Sequence, residues 1–361
     1  MQYEALVRLY PDDYWGNNNL ATEYDQLGRG QEAVPLVRRR ADLRPNDFGQ
    51  NCRAARDVAR LTGRPGEAKP YITRARQLSN PELARRYSQC AAYLEFFPAY
   101  EGLLQGSAEK VLAEADRVAT TLASRTGEEK DSFTMTTAGF YLDLGRLKRA
   151  EELFQQYPDP VLVHWNLAMI ALDRGDSQGF EKRIRELSRH PEKAFWFDMP
   201  ICYARVGLLR EADNWIRNHP NAVGIDIARG ELALARGQKT EGIRLLQDGY
   251  ASVRTHRNLR FFNGAEGLAR ALEAQGDLQG AARVLEEASQ QKGLAAMMGG
   301  GSYWNKLRYQ QARLYRKLGR EAEAREIEVE LRKLLVYADA DHAISRELRQ
   351  SQQAALTQPN K

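Results

Sequence analysis

The 361-residue chain is poor in groups able to do covalent chemistry. Its histidines, His164, His190, His219, His256 and His342, stand apart from one another. No H-E-x-x-H zinc pair, G-x-S-x-G nucleophile turn or phosphate loop occurs. Gly237-Gln238-Lys239-Thr240 has residues of a phosphate loop without its spacing. His190 and His219 each precede a proline at the end of an apolar-periodic segment, where an imidazole suits a helix C-terminus. Asp339, Asp341 and His342 are the one dense ligand-type cluster; such a run can hold a divalent cation, and it also serves as a solvated helix end or cap. Cys52, Cys90 and Cys202 are far apart and odd in number, so the expectation is reduced, mostly buried thiols with no disulfide framework. With no acid–base or nucleophile constellation, the reading is a protein that is not an enzyme and needs no cofactor and no metal.

The residues that remain chemically interesting bind rather than react. Arg53, Arg56 and Arg60 follow i, i+3, i+7 spacing, which puts three guanidiniums on one stripe of a helix. Their mutual repulsion is tolerable if water, a bound anion or carboxylates of adjacent elements offset it, and guanidinium forks suit carboxylate or phosphate. The whole chain has 53 Lys and Arg against 48 Asp and Glu, a net charge of +5. That balance permits an acidic partner. The basic residues are spread along the chain, which argues against nucleic acid.

The elements that must position these side chains are legible from punctuation. Pro11 and Pro45 stand 34 residues apart. Between them Leu20, Ala21, Tyr24 and Leu27 share one helix face, Gly28 stops that helix, and Ala33, Val37 and Ala41 mark a second. The unit is helix, tight turn, helix. The same grammar recurs around Gly63, Gly145, Gly175, Gly207, Gly237, Gly276 and Gly319, several copies closing on a proline (Pro158, Pro191, Pro220). A degenerate copy fills 82–125, with Cys90 and Tyr93 in its first helix and Ala113 and Val118 in its second. Pro35 and Pro200 fall inside expected helices and are candidates to kink them. Small residues before and after each turn let two helices approach closely, and one such hairpin cannot bury its apolar face alone, so neighbours must stack. The chain has 43% hydrophobic residues, enough for such a core. No apolar run approaches the ~20 residues of a membrane span, and the N-terminus has no signal-peptide pattern. A cytoplasmic location is expected, or an extracytoplasmic one if the chain belongs to a longer membrane-anchored protein.

The Leu-Ala…Tyr…Leu-Gly…Ala…Val…Pro run of residues 20–45 and its copies resemble the tetratricopeptide repeat family over roughly residues 1–335. Arg40 departs from the family's usual alanine. The C-terminal stretch, WNKLRYQQARLYRKLGREAEAREIEVELRKLLVYADADHAI, resembles the end of the repeat region in large bacterial proteins that carry a kinase or winged-helix domain ahead of the repeats; no kinase motif is present here. The resemblance implies an all-α, right-handed α-α superhelix (solenoid) of about nine helical hairpins as a single elongated domain over 1–335, with a helical tail over 336–361. Since Tyr3–Tyr10 reads as a second helix without a first, the chain is expected to be the sensor or scaffold part of a longer protein, or a truncated one.

In such an array the first helix of each hairpin lines the concave side. The faces so placed carry Asn18, Asn19 and Thr22, then Arg53, Arg56 and Arg60, then Tyr87, Trp165, Asn166 and Phe197, and finally Tyr309, Arg313 and Arg316. Basic ends with an aromatic middle suit a peptide or protein segment offering acidic or C-terminal carboxylate groups and an apolar anchor. Relatives that clamp a peptide's terminal carboxylate use Lys, Asn and Arg on these helices; Asn18, Asn19 and Arg53 lie on comparable faces, and the lysine is missing. The expected function is a non-catalytic scaffold or sensor module. The rivals are the regulatory repeat region of a larger signalling kinase or transcription regulator, and an RNA-binding helical repeat. Gly299–Gly301, between Leu294–Met298 and Tyr303-Trp304, reads either as a flexible connector or as a mobile loop over a ligand groove.

Overall fold

Every glycine turn expected from the spacing, among the described residues, takes the left-handed conformation that ends a helix without a Cβ penalty. Gly63, Gly145, Gly175, Gly207, Gly237, Gly276 and Gly319 have φ between 65° and 88°. The computed structural model describes residues 2–27, 29–190, 198–254, 260–297 and 299–357, and Gly28, Pro191, Phe197, His256 and Met298 lie outside them. Among the described residues all regular structure is helical, with no strand. The chain is thus an all-α array of antiparallel helical hairpins, of the α-solenoid class. It divides into two compact units, built from the described residues of 1–137, 254–258 and 291–300, and of 138–253, 259–290 and 301–361.

In the first unit, the Tyr14–Gln26 helix pairs with Gly30–Asp42, and Phe48–Thr62 with Lys69–Leu78. Asp13 and Asp47 cap the first helix of each pair, their carboxylates accepting from the backbone N–H of Gly16 and Gln50. Asn17 and Asn51 then repeat one device: each amide donates to the proline carbonyl six residues back, at 2.8 Å. Pro35 sits inside Gly30–Asp42, which continues through it. The degenerate copy is more broken than its spacing suggests, running as Pro81–Arg86, Ser88–Glu95, Phe97–Gln105 and Ala108–Ala119, the last two forming the hairpin. Pro98, in the first turn of Phe97–Gln105, has no N–H to offer a continuing helix, so a new one starts there. The short Lys292–Met297 helix packs in this unit against Phe48–Thr62 and Phe97–Gln105.

The expectation of three reduced thiols is corrected here. Cys52 and Cys90 form a disulfide between Phe48–Thr62 and Ser88–Glu95, while Cys202 is a free, buried thiol. The partners are 38 residues apart, so only the folding of one hairpin against the next brings them together.

The second unit repeats the plan with Pro160–Arg174 and Ser177–Leu187, Met199–Arg205 and Leu209–Asn218, Ile225–Ala235 and Lys239–Arg254, Arg260–Gln275 and Leu278–Ser289, and Gly301–Lys317 and Glu321–Leu334. Pro200 does not kink a helix: it lies in the first turn of Met199–Arg205, where its missing N–H costs nothing. Close approach is literal at Gly230, where a Cβ would lie 2.7 Å from Leu246 Cγ and 2.9 Å from the Gly242 carbonyl oxygen. The final helix, Ala343–Thr357, is tied down through the loop before it. Asp339 N–H donates to the Gly145 carbonyl at 2.9 Å, and the Asp339 carboxylate accepts from the Lys148 N–H at 2.8 Å. Asp341 pairs with Arg174 at 3.0 Å, and His342 is buried with its Nδ1 accepting from Ser345 N–H at 3.2 Å. The Asp-Asp-His cluster is therefore occupied in docking the tail.

At Gly145 these demands coincide. Its φ is +71°, and an added Cβ would lie 2.7 Å from Ala338 Cβ and 3.1 Å from the His342 ring. Gly145→Val is expected to cost about 1–3 kcal/mol, from the left-handed backbone and the displaced tail. A lowered melting temperature checks this; an unshifted melt counts against it.

Candidate functional site

The arginine stripe divides. On Phe48–Thr62, Arg60 turns into the protein, 9% exposed, and its fork grips Asp25 at 3.0 and 2.6 Å. Asp57 stands 3.8 Å from it and also accepts from Arg40, 5% exposed, at 3.1 Å. Arg40's other nitrogen donates to Asn18 Oδ1 at 3.0 Å, and Asn18 donates to Asn19 at 3.1 Å. Thr22, exposed, donates to the Asn18 carbonyl. The expected binding residues Asn18, Asn19 and Arg60 thus sit in one ionic network with Arg40, Asp57 and Asp25. Burial works against the Arg60 charge, but the carboxylates of Asp25 and Asp57 outweigh it and raise its pKa.

Arg53 and Arg56 face the other way, into a cavity of about 350 Å³. Arg56 has a loose pairing with Asp57 at 3.3 Å. Arg53 is exposed and forms no ion pair among the described residues. The opposite wall is the junction of Pro81–Arg86 with Ser88–Glu95, which contributes Arg86, Tyr87, Ser88 and Gln89; the Cys52–Cys90 disulfide and Tyr93 complete the lining. Tyr87 packs on Phe48 with ring centroids 5.9 Å apart, and the Arg86 guanidinium lies 5.5 Å from the Tyr87 ring. Burial pushes the Tyr93 phenol up, keeping it neutral. Glu128 is the lone acid in the lining, against three guanidiniums. The cavity can take an anion by charge and by forked hydrogen bonds; among the described residues that line it there is no nucleophile–base pair.

The second unit has a cavity of about 250 Å³, with apolar walls from Leu172, Phe262, Leu307 and Ile344 and polar groups from Asp173, Arg205, Asn263, Glu266, Tyr303 and Lys306. Its charges are already matched. Asp173 pairs with Lys306 at 2.7 Å and accepts from Ser302 Oγ at 2.8 Å. Arg205 joins Glu231 and Glu266, and Arg270 closes the box at 2.5 Å from Glu231. Behind this cavity Asp143 accepts from Ser302 N–H at 2.7 Å. Burial, reinforced by the Asp173 charge, pushes its carboxyl up to about 7, against the pull of that hydrogen bond and of Lys306. Burial likewise pushes Asp198 up to about 6, although Arg260 and the Asn263 amide favour its charged form.

The other expected site residues of this unit are placed singly. Trp165 and Asn166 are half-buried on Pro160–Arg174, and the Asn166 amide donates to its own helix at Leu162 O, 2.9 Å. Tyr309 donates to Glu347 at 2.6 Å. Arg316 pairs with Glu328 and with Glu321 at 3.4 Å. Arg313, between them on the same face, is exposed and makes no ion pair among the described residues. Phe197 lies outside the described residues.

Residues that the spacing did not single out are Arg86, Ser88, Gln89 and Glu128 in the first cavity and Asp143, Asp173, Tyr303 and Lys306 in or behind the second. Arg86 had one available signal, its place beside Tyr87. Asp143 and Asp173 had none, because Ser302, which donates to both, lies more than a hundred residues away in sequence.

Two outcomes follow from these placements. Arg60→Ala leaves Asp25 without its buried cation, Asp57 keeping Arg40, and is expected to cost about 3 kcal/mol, whereas Arg53→Ala stays within about 0.5 kcal/mol; urea unfolding compares them. Asp143, raised in the folded state, gives stability that is fully present below its unfolded pKa and is lost as pH rises through about 7. Asp143→Asn is expected to lose less stability between pH 5 and 8 than the parent, and a parallel decline in both proteins would contradict this.

Residues 264–287 match the family model described as tetratricopeptide repeat. They span the Gly276 turn with most of the helices on either side, so the match covers this one hairpin. No curated protein matches the chain. Among solved structures, it is similar to yeast Tom70 at 13% identity, covering 97% of this chain and 91% of that one, with a TM-score of 0.36. The TPR domain of P58(IPK) is similar at 12% identity, covering 99% of this chain and 93% of that one, with a TM-score of 0.26. A circular tandem repeat protein of novel repeat topology is similar at 15% identity, covering 98% and 90%, with a TM-score of 0.20. TM-scores of this size carry no argument about this chain.

Proposed function

We propose that the chain is a non-catalytic interaction module that holds a protein or peptide segment, and that an acidic side chain or C-terminal carboxylate of that segment enters the cavity of Arg53, Arg56 and Arg86. Tetratricopeptide-type hairpins generally mediate protein–protein interaction, and no described helix is long and apolar enough to cross a membrane. One observation carries the reading. Most arginines of the first unit are matched to carboxylates, Arg40 and Arg60 internally and Arg29, Arg38, Arg39 and Arg74 at the surface. Arg53 and Arg86 face a shared cavity and form no ion pair among the described residues.

An anion there gains the attraction of three guanidiniums and competes only with the loose Arg56–Asp57 pairing, so little repacking opposes it. Tyr87 and Tyr93 supply the aromatic surface for a neighbouring apolar side chain. Asn18 and Asn19 are committed to Arg40 and to each other, so the asparagines serve as support and the guanidiniums as grip. In the second unit, Arg313 with Tyr309 one turn before it offers a smaller patch of the same kind.

Fluorescence anisotropy with labelled peptides tests this. Peptides ending in two acidic residues and a free carboxylate are expected to bind, and Arg53→Ala with Arg56→Ala to weaken them at least tenfold with helicity unchanged. Equal binding of amide-capped, neutral peptides, or unchanged affinity in the variant, would make the cavity ordinary surface.

A further inference from the structure

The two walls of the basic cavity are held in very different ways. The Phe48–Thr62 wall buries Phe48, Asn51, Ala54, Ala55, Val58 and Ala59, and is capped at both ends by Asp47 and the left-handed Gly63. Up to Cys90 the facing wall has little of its own. The Pro81–Arg86 helix buries no residue, and the chain leaves helical geometry at Tyr87, with φ −123° and ψ 51°. Across residues 86–90 that wall is tied by the Tyr87 ring on Phe48, by Ser88 Oγ accepting from Ser132 Oγ at 3.0 Å, and by the covalent bond from Cys90 to Cys52; beyond Cys90 the Ser88–Glu95 helix is anchored by its buried Ala92, Tyr93 and Leu94. Cys52 is 4% exposed, whereas Cys90 is half-buried. Both border the cavity, so a thiol that enters it meets Cys90 first.

We propose that the Cys52–Cys90 disulfide is a thiol-exchange site that latches the Arg86–Cys90 wall, so that the oxidised chain grips an anionic segment and the reduced chain releases it. The reductant is a dithiol. One of its thiolates attacks Cys90 Sγ; a bond forms between them, the Cys52–Cys90 bond breaks, and its electron pair leaves on Cys52 as thiolate. The second thiol, as its thiolate, then attacks the reductant's own sulfur in the mixed disulfide and releases Cys90. The chain gains two electrons and two protons as two thiols, and the dithiol becomes a disulfide. Arg53 and Arg56, one and four residues along the helix from Cys52, lower the cost of the leaving thiolate. Once cut, the buried Ala92, Tyr93 and Leu94 still hold the far end of Ser88–Glu95, but the stretch that carries Arg86 and Tyr87 is left to the Tyr87–Phe48 and Ser88–Ser132 contacts, and Arg86 swings away from Arg53 and Arg56.

The gating half rests on the anion reading of the cavity; the latch does not, and the test separates them. The full chain with Cys202→Ala is compared after air oxidation and after dithiothreitol. Alkylation under denaturing conditions is expected to label neither remaining cysteine in the first case and both in the second; full labelling of the oxidised sample overturns the proposal. Hydrogen exchange in residues 80–90 is expected to rise at least tenfold on reduction, with 48–62 unchanged. Unaltered protection at 80–90, or loss spread evenly over 2–137, overturns the latch. A labelled peptide ending in two glutamates is expected to bind at least fivefold more weakly to the reduced chain, and Cys90→Ser to behave as reduced. Equal affinity in both states with the wall opened overturns the gating. Binding by neither state sinks the anion reading, and the exchange data still decide the latch.

Discussion

Two antiparallel helices can be joined by a few residues only if the chain reverses at a residue that tolerates positive φ. Everything else in this protein is arranged around that reversal. Glycine supplies it at one turn after another, and the small residues flanking each turn bring the helices close enough for apolar side chains to interlock. Where a second glycine faces the seam, as at Gly230 against Gly242, the backbones themselves are in contact range, and any side chain would force them apart. Apolar burial is thereby spent between the helices. What is left for function is the outward face of each hairpin, where polar side chains either find partners on neighbouring hairpins or do not.

The hairpins were legible in the sequence because their signal is local and repeated. Glycine at the stop, alanine one turn away on each side and proline at the close lie within one unit and need no knowledge of distant residues. The stretch over 82–125 was harder for the same reason. Pro98 and the break at Tyr87 divide what looks like one helix, and the divided pieces have too few periodic positions to show their faces. Gly299–Gly301 shows a different limit. Gly301 opens a long helix with its backbone against the Asp143 carboxylate, so close that a methyl group would collide with it. Its lack of a side chain serves contact, a demand that composition alone presents as flexibility.

Charges were legible as stripes but not as pairs. Helical spacing correctly placed Arg53, Arg56 and Arg60 on one helix, and it could not show that Asp25, 35 residues earlier, waits for Arg60. The same blindness hid the Cys52–Cys90 bond, whose partners lie on separate helices, Phe48–Thr62 and Ser88–Glu95, 38 residues apart. Pairing is a property of neighbouring hairpins, and neighbours contribute residues a repeat or more away in sequence. The structure therefore changes the meaning of the stripe without moving it: one arginine is mortar, and the other two border open space.

That difference separates the two cavities. In the second unit Asp173 with Lys306, and Arg205 and Arg270 with Glu231 and Glu266, leave each charge answered, and burial, reinforced by the Asp173 charge, pushes the Asp143 carboxyl up to about 7. Such a site has no net pull on a charged guest, and its networks are best understood as fixing which helices lie side by side. The first cavity has the opposite character. Its guanidiniums exceed its carboxylates, one of its walls is thinly packed up to Cys90, and a covalent bond supplements the little apolar contact there. A wall held by packing changes only when the hairpin unfolds, whereas a wall held by sulfur can be released by chemistry that leaves the hairpins intact. The sparse burial over 80–90 therefore makes the disulfide consequential, and a well-packed segment in its place would have left the bond with nothing to control.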